Sequence, residues 1–366
     1  MKSIDDKFSL SVTAAAARDY GLNINNLIIQ VDNAMIARRD ISALVGEDGM
    51  DMMKINHMNH SAFMSAVFLL NRFSLLEVTL PWVYRAYHNH GFSYDYFLIE
   101  LNAWIEAVRM NLQPENAESI IKIYEWMLKN HEKIIELSLT AVKQEYIIDY
   151  RWTDTYELFF KSLLNGETYK YSEIAHNSCR VERDLKDFYL NVLQPSLYRI
   201  GDLWESGEIS AAVEHLATAI VTRTISHLSF LYMPVASRDK RVMVLSVSGE
   251  YHQLGALMVA NCFEMDKWNV NFLADSMPFR DTMQHIASFK PHLLALSVTM
   301  PYNITSMIEL IKKIKSGGYN EGMKILAGGQ AFKLFPDLPE KLGADAYAID
   351  CIDAVTAGNN LTERKL

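Results

Sequence analysis

The chain of 366 residues has only three cysteines, Cys179, Cys262 and Cys351, far apart and in no Cys-x-x-Cys or similar spacing. That excludes a disulfide scaffold and a cysteine-held zinc site, and fits reduced, buried thiols of a cytoplasmic protein. Cationic clusters are missing too. With 35 Lys and Arg against 44 Asp and Glu the formal charge is −9, so binding of nucleic acid by bulk charge is not expected. No apolar run reaches the roughly 20 residues that span a bilayer. The opening MKSIDDKFSLSV has two aspartates and no continuous apolar core, so it is not read as a signal peptide, and a soluble chain is expected. Nucleotide-binding signatures are lacking as well: there is neither Gly-x-Gly-x-x-Gly nor a Gly-rich loop ending in Gly-Lys-Ser/Thr. What is present is apolar material, 50% of residues against 22% charged, enough for two or three domains with their own cores.

Three regions divide the chain. Residues 1–147 repeat apolar side chains at three- and four-residue steps, as in YDYFLIELNAWIEAVRMNL, and predict an all-helical domain. Breaks are expected at Pro81, Gly91-Phe92-Ser93 and Gln113-Pro114. Residues 148–236 are also helical, and four helices packed as a bundle is the natural reading, with a kink or boundary at Pro195. Residues 237–366 change period: KRVMVLSVS, WNVNFLADS, PHLLALSVT, MKILAGG and ADAYAID are short runs suited to buried strands, with helical segments between them. That alternation predicts a doubly wound parallel sheet, Rossmann- or flavodoxin-like, after a polar linker at 236–240 and before a frayed tail GNNLTERKL.

Ligands of such sheets bind outside the carboxyl ends of the strands. At that edge the stretch SVSGEYHQLG, 246–255, places Glu250 two residues before His252, with Gly255 behind them. An imidazole with a carboxylate beside it suits metal ligation, because the carboxylate accepts the second ring N–H and fixes the tautomer. One such ligand cannot hold a free ion, but it can serve a metal already caged in a macrocycle. Glu250-x-His252-x-x-Gly255 resembles the Asp-x-His-x-x-Gly motif of cobalamin-binding domains, with Glu for Asp. Ser297 and Thr299, ending the third strand, and Gly328-Gly329, ending the fourth, resemble that family's later elements. The resemblance implies His252 as lower axial ligand to cobalt, and a nucleotide tail running past Ser297 and Thr299 into space left by Gly328 and Gly329.

The stretch LQPSLYRIGDLWESGEISAAVEHLATAIV resembles the helical cap of light-sensing cobalamin repressors and of corrinoid proteins of methyl transfer. Trp204, nine further residues and then Glu214-His215 are similar to the photoreceptor branch, which implies that these three shelter the adenosyl group of adenosylcobalamin. The repressors have a histidine directly after that tryptophan, where this chain has Glu205, so a second histidine on cobalt at that position is not available. The repressors' DNA-binding module is not recognised, and direct DNA binding is not expected.

LPWVYRAYHNHGFSYDYFLIELNAWIEAV is similar to the globin-like, haem-free helices of the photocobilins, which pair cobalamin with a linear tetrapyrrole such as biliverdin. Tyr84, Arg85, His88 and Tyr94 supply donor types for such a bilin, and without a cysteine in the region it would be held non-covalently. His57, His60, His88 and His90 could each ligate haem iron, but no pattern selects one. The plain alternative is an aromatic-rich bundle used for dimerisation. These resemblances imply a sensor rather than an enzyme, signalling through self-association or a separate partner. The alternative is a corrinoid carrier for methyltransferases; a mutase subunit would need a substrate barrel that is not recognised here.

Overall fold

The computed structural model describes residues 11–46, 49–140, 146–232, 234, 239–273, 277–317 and 322–363. They form two compact units, Met1–Gln144 with Glu205–Glu208, and Glu145–Trp204 with Ile209–Leu366.

The first unit is helical: α1 (Ala14–Ile36), α2 (Ile41–Val45), α3 (Gly49–Leu70), α4 (Ser74–Asn89), α5 (Tyr94–Asn111), α6 (Pro114–Lys129) and α7 (His131–Leu139). Its starts follow local chemistry. Thr13 and Ser93 accept hydrogen bonds from Ala16 N and Asp95 N, and Pro114 opens α6, where no N–H is required. Tyr20, Leu27, Phe68, Leu76, Trp104 and Tyr124 are buried in its core. Pro81 does not break the chain as expected; it lies inside α4. A helix-interior proline costs about 3 kcal/mol. Leu80 and Tyr84 on either side are buried, and two such side chains contribute roughly 3–6 kcal/mol, which outweighs that cost.

In the second unit α8 (Thr153–Asn165), α9 (Thr168–Ser178), α10 (Glu182–Phe188), α11 (Gln194–Glu205) and α12 (Ala211–Tyr232) make the cap, with a π turn at Tyr189–Leu193. Pro195, placed just after that turn, has no N–H for the carbonyl four residues back, and the helix widens there rather than stopping. Asn261 ties the cap to the following domain by donating to Tyr189 Oη at 2.8 Å and Ser229 Oγ at 2.7 Å.

The sheet consists of β1 (Arg241–Ser246), β2 (Asn269–Leu273), β3 (Leu293–Ser297), β4 (Lys324–Gly328) and β5 (Ala346–Ala348), all parallel in the order 2-1-3-4-5. Between and after the strands run α13 (Leu254–Met265), α14 (Phe279–Phe289), α15 (Ile304–Gly317), α16 (Leu338–Lys341) and α17 (Cys351–Thr362). Val242, Val244, Leu293, Ala295, Leu326 and Ala348 pack with Ala256, Ala260 and Phe263 of α13 and Ala354 of α17. Strand order reverses between β1 and β3, so the loops after these two strands flank a crevice. The expected tail is not frayed: α17 runs to Thr362, and Asn359 donates to Asp266 at 2.9 Å. Residues 236–238 of the linker and 364–366 lie outside the described residues. Among the described residues no helix is long and apolar enough to cross a membrane.

Candidate cofactor site

β1 delivers the chain to the crevice and Gly249 turns it, at φ 84° where a side chain would be strained. Glu250 then points inward and is 1% exposed. Its Oε2 accepts from Thr299 N and Met300 N, both at 2.9 Å, and from Asn303 Nδ2 at 3.0 Å, all in the loop after β3. Its Oε1 accepts from His252 N at 3.0 Å and faces His252 Nδ1 at 2.7 Å. Burial alone would raise the Glu250 pKa, but the bonds from His252, Met300 N and Asn303 outweigh it and hold the carboxyl below its ordinary value. An ionised carboxylate only accepts, so Nδ1 of His252 carries the hydrogen and Nε2 keeps its lone pair. The His252 side chain is 55% exposed. The loop therefore presents one oriented imidazole nitrogen at the carboxyl edge of the sheet.

Beneath it, register aligns Ser246, Ser297 and Gly328 across β1, β3 and β4, on the face that α13 and α17 cover. Ser246 Oγ is buried and has no hydrogen-bond partner, an arrangement that costs about 1–3 kcal/mol unless a ligand supplies one. A Cβ on Gly255 would meet nothing within 4 Å. At Gly329, φ is 107° and a Cβ would lie 2.1 Å from Val298 O, so only glycine passes there. An orphan hydroxyl, a glycine beside open space and a strand end kept small fit a corrinoid whose nucleotide tail enters between the sheet and these two helices. His252 would hold its cobalt, and Ser246 and Ser297 would face the tail. Among the described residues no group of three or more His, Cys, Asp or Glu could hold a free metal ion.

The structure thus brings Glu250, His252, Gly255, Ser297, Thr299, Gly328 and Gly329 to one edge. Thr299 contributes through its backbone N–H. Met300 N, Asn303 and Ser246 belong to the same site and were not foreseen; the turn Pro301-Tyr302-Asn303 after β3 was the available signal for Asn303. Trp204 lies in the last turn of α11, and Glu214 and His215 lie in the first turns of α12. There Glu214 holds His215 Nδ1 at 2.5 Å and accepts from Thr218 Oγ1 at 2.9 Å, and the His215 ring is 81% exposed.

In the first unit Tyr84, Arg85, His88 and Tyr94 are also neighbours, but their polar atoms have protein partners. Tyr84 Oη meets His131 Nδ1 at 3.1 Å, His88 stacks on Tyr94 at 4.0 Å with Nδ1 on Phe92 O, and Arg85 donates to Glu205. His57 is fully buried, with Nδ1 2.5 Å from Asp32 and Nε2 3.1 Å from Tyr96 Oη, so both ring nitrogens are engaged. Glu100, buried beside them, accepts from Asn56 and Trp104. Its pKa is raised because burial outweighs those partners.

A lone histidine braced by a buried carboxylate, at the switch point of a 2-1-3-4-5 sheet joined to a helical cap, defines a corrinoid-binding module. Residues 240–355 match the family model for the B12 binding domain, and residues 156–229 match a second B12 binding domain model. Cobalamin binding is supported by both matches together with this site. Dimethylamine corrinoid protein 1 of Methanosarcina mazei is 23% identical over 175 residues, 47% of this chain and 79% of that protein. The HTH-type transcriptional repressor CarH of Myxococcus xanthus is 22% identical over 156 residues, 43% of this chain and 51%, about half, of the repressor. The solved monomethylamine corrinoid protein of Methanosarcina barkeri shares the fold, with a TM-score of 0.50 and 14% identity over 58% of this chain and all of that one.

Proposed function

We propose that this chain is a cobalamin-dependent light sensor, not an enzyme, that holds adenosylcobalamin with its own benzimidazole displaced by His252. The observation that supports the reading is the sequence spacing of Trp204, nine residues and then Glu214-His215, similar to that of the photoreceptor branch, with Glu214 paired to His215 in α12. An indole supplies a flat apolar lid, and Glu214 with His215 supplies hydrogen bonds for a ribose or adenine. Bound adenosylcobalamin would supply a cobalt–carbon bond that visible light breaks. The chain's own contribution is to orient His252 through Glu250, to shelter the adenosyl group with the cap, and to register its loss as a change in self-association or in a separate partner. The chain would work in the cytoplasm. Tyr84, Arg85, His88 and Tyr94 would hold a biliverdin non-covalently by exchanging their present protein partners for it, extending absorption to the red.

The identity to a dimethylamine corrinoid protein favours a second reading, a corrinoid carrier in a methyltransferase system. One experiment separates the two. Adenosylcobalamin is added in the dark, the sample is illuminated, and absorption and elution volume are followed. The sensor reading requires both to change; methyl transfer from bound methylcobalamin to an added methyltransferase, with no response to light, would replace it by the carrier. Co-expression with a biliverdin source must yield a red-absorbing protein if the second pigment is held.

A further inference from the structure

We propose that the outer face of α1 and α5 in the first unit is a self-association surface that docks the same face of a second copy across a two-fold axis near Asn33 and Ala103. Leu22, Ile29 and Ile36 repeat every seven residues along α1, on the side opposite buried Tyr20, Leu27 and Val31. They are 85%, 56% and 43% exposed, and Met110 on α5 is 68% exposed. Aligned on one side, the three give α1 an apolar outer stripe in addition to its buried one.

Between α1 and α5 runs an open groove of about 680 Å³. Small residues, Ala34, Ala103 and Ala107, line it, with Met110 at one end. Asn111 of α5 donates to Gln30 of α1 at 2.9 Å and Gln113 N, just past α5, donates to Asp19 near the start of α1 at 3.0 Å, so the two helices run antiparallel and Arg38 stands at the end away from Met110. Protruding side chains and a groove on one patch are what a two-fold contact between identical surfaces requires, since each copy offers both halves of the fit.

Charge selects the occupant. From Tyr20 to Ala37 the only charged side chain on α1 is Asp32, and it is engaged with buried His57. The outer face of α1 carries Asn25, Asn26 and Asn33 instead, and the charges bordering the groove are neutralised within each copy, Arg38 by Asp40 and Glu106 by Arg109, so two copies of a chain with net charge −9 meet there without bare like charges opposed. An acidic partner or a nucleic acid would find no cationic field on this stripe. At about 1.5 Å per residue α1 is roughly 34 Å long, and two helices about 10 Å apart offer on the order of 700 Å² per copy, near the ~800 Å² of a stable interface. This inference stands without the light-sensing reading.

The test is sedimentation of the full chain at micromolar concentration. The expected mass is twice 41.8 kDa. Ile29→Glu with Ile36→Glu raises the dimer dissociation constant at least ~100-fold with an unchanged circular dichroism spectrum. Asn33→Cys, placed at the axis, gives a covalent dimer on mild oxidation, a readout uncomplicated by the buried Cys179, Cys262 and Cys351. The cross-link decides the matter even if the double variant fails to fold. A monomeric wild type, or a dimer that survives the double substitution and does not cross-link at Asn33→Cys, overturns the proposal.

Discussion

Replacing Glu250 by glutamine keeps the shape of the side chain and removes one acceptor edge. In the native site one oxygen takes Thr299 N, Met300 N and Asn303 Nδ2, and the other takes His252 N and faces Nδ1. A glutamine that keeps its oxygen toward the loop after β3 must turn its amide toward His252. The backbone N–H of His252 then loses its acceptor, and the imidazole must receive a hydrogen at Nδ1, which moves its own hydrogen to Nε2. That tautomer has no lone pair left for a metal. The opposite flip sets the amide against three donors and is worse. Hydrogen bonds to a charged group contribute about 1.5–3 kcal/mol each, so the unliganded protein should lose about 2–4 kcal/mol in urea unfolding. Cobalamin affinity, read from visible absorption titrations, should fall about 10–100-fold. The pH dependence adds a sign. Glu250 has a folded pKa below its ordinary 4.5, so its contribution is complete above 4.5 and is lost as pH falls through the lower folded value; Glu250→Gln has no such decline. Stability unchanged within ~0.5 kcal/mol and affinity unchanged within about twofold would refute the reasoning.

Ser246→Ala removes the orphan hydroxyl; the unliganded protein should gain about 1 kcal/mol in urea unfolding while cobalamin binds more weakly, and a stability loss would show the hydroxyl has a protein partner. Gly329→Ala places a Cβ against Val298 O and should cost more than ~2 kcal/mol, with Gly255→Ala, beside open space, the mild control for stability. Glu100 is raised in the folded state, so stability of the first unit should fall as pH climbs from the ordinary 4.5 toward its folded value, by at most about 1.4 kcal/mol per pH unit. Glu100→Gln should abolish that slope, measured as hydrogen-exchange protection of α5.

The sheet and its edge were legible because buried parallel strands read as apolar runs and Glu250-x-His252 is chemistry that a plain turn does not need. Asn303 was not, because it meets Glu250 across 53 positions, and its turn Pro301-Tyr302-Asn303 marks a loop after β3 without naming the carboxylate it serves. Ser246 read as one residue of the run KRVMVLSVS, and only its buried, unpartnered hydroxyl in register with Ser297 and Gly328 marks it as part of the site. Pro81 misled because local propensity knows nothing of the burial of Leu80 and Tyr84, and the C-terminal residues because their anchor, Asp266, lies on another segment. His57 illustrates the same limit. A histidine free to bind iron in sequence is, in the fold, fully engaged by Asp32 and Tyr96 from two other helices.

The central claim is that the Nε2 lone pair of His252 is the protein's ligand to a corrin-held cobalt. Electron paramagnetic resonance of the protein loaded with cob(II)alamin, with ¹⁵N incorporated into histidine, tests it most directly. The account predicts a nitrogen splitting that changes with the label and vanishes in His252→Ala. A splitting from the benzimidazole nitrogen, indifferent to both the label and the substitution, would contradict it.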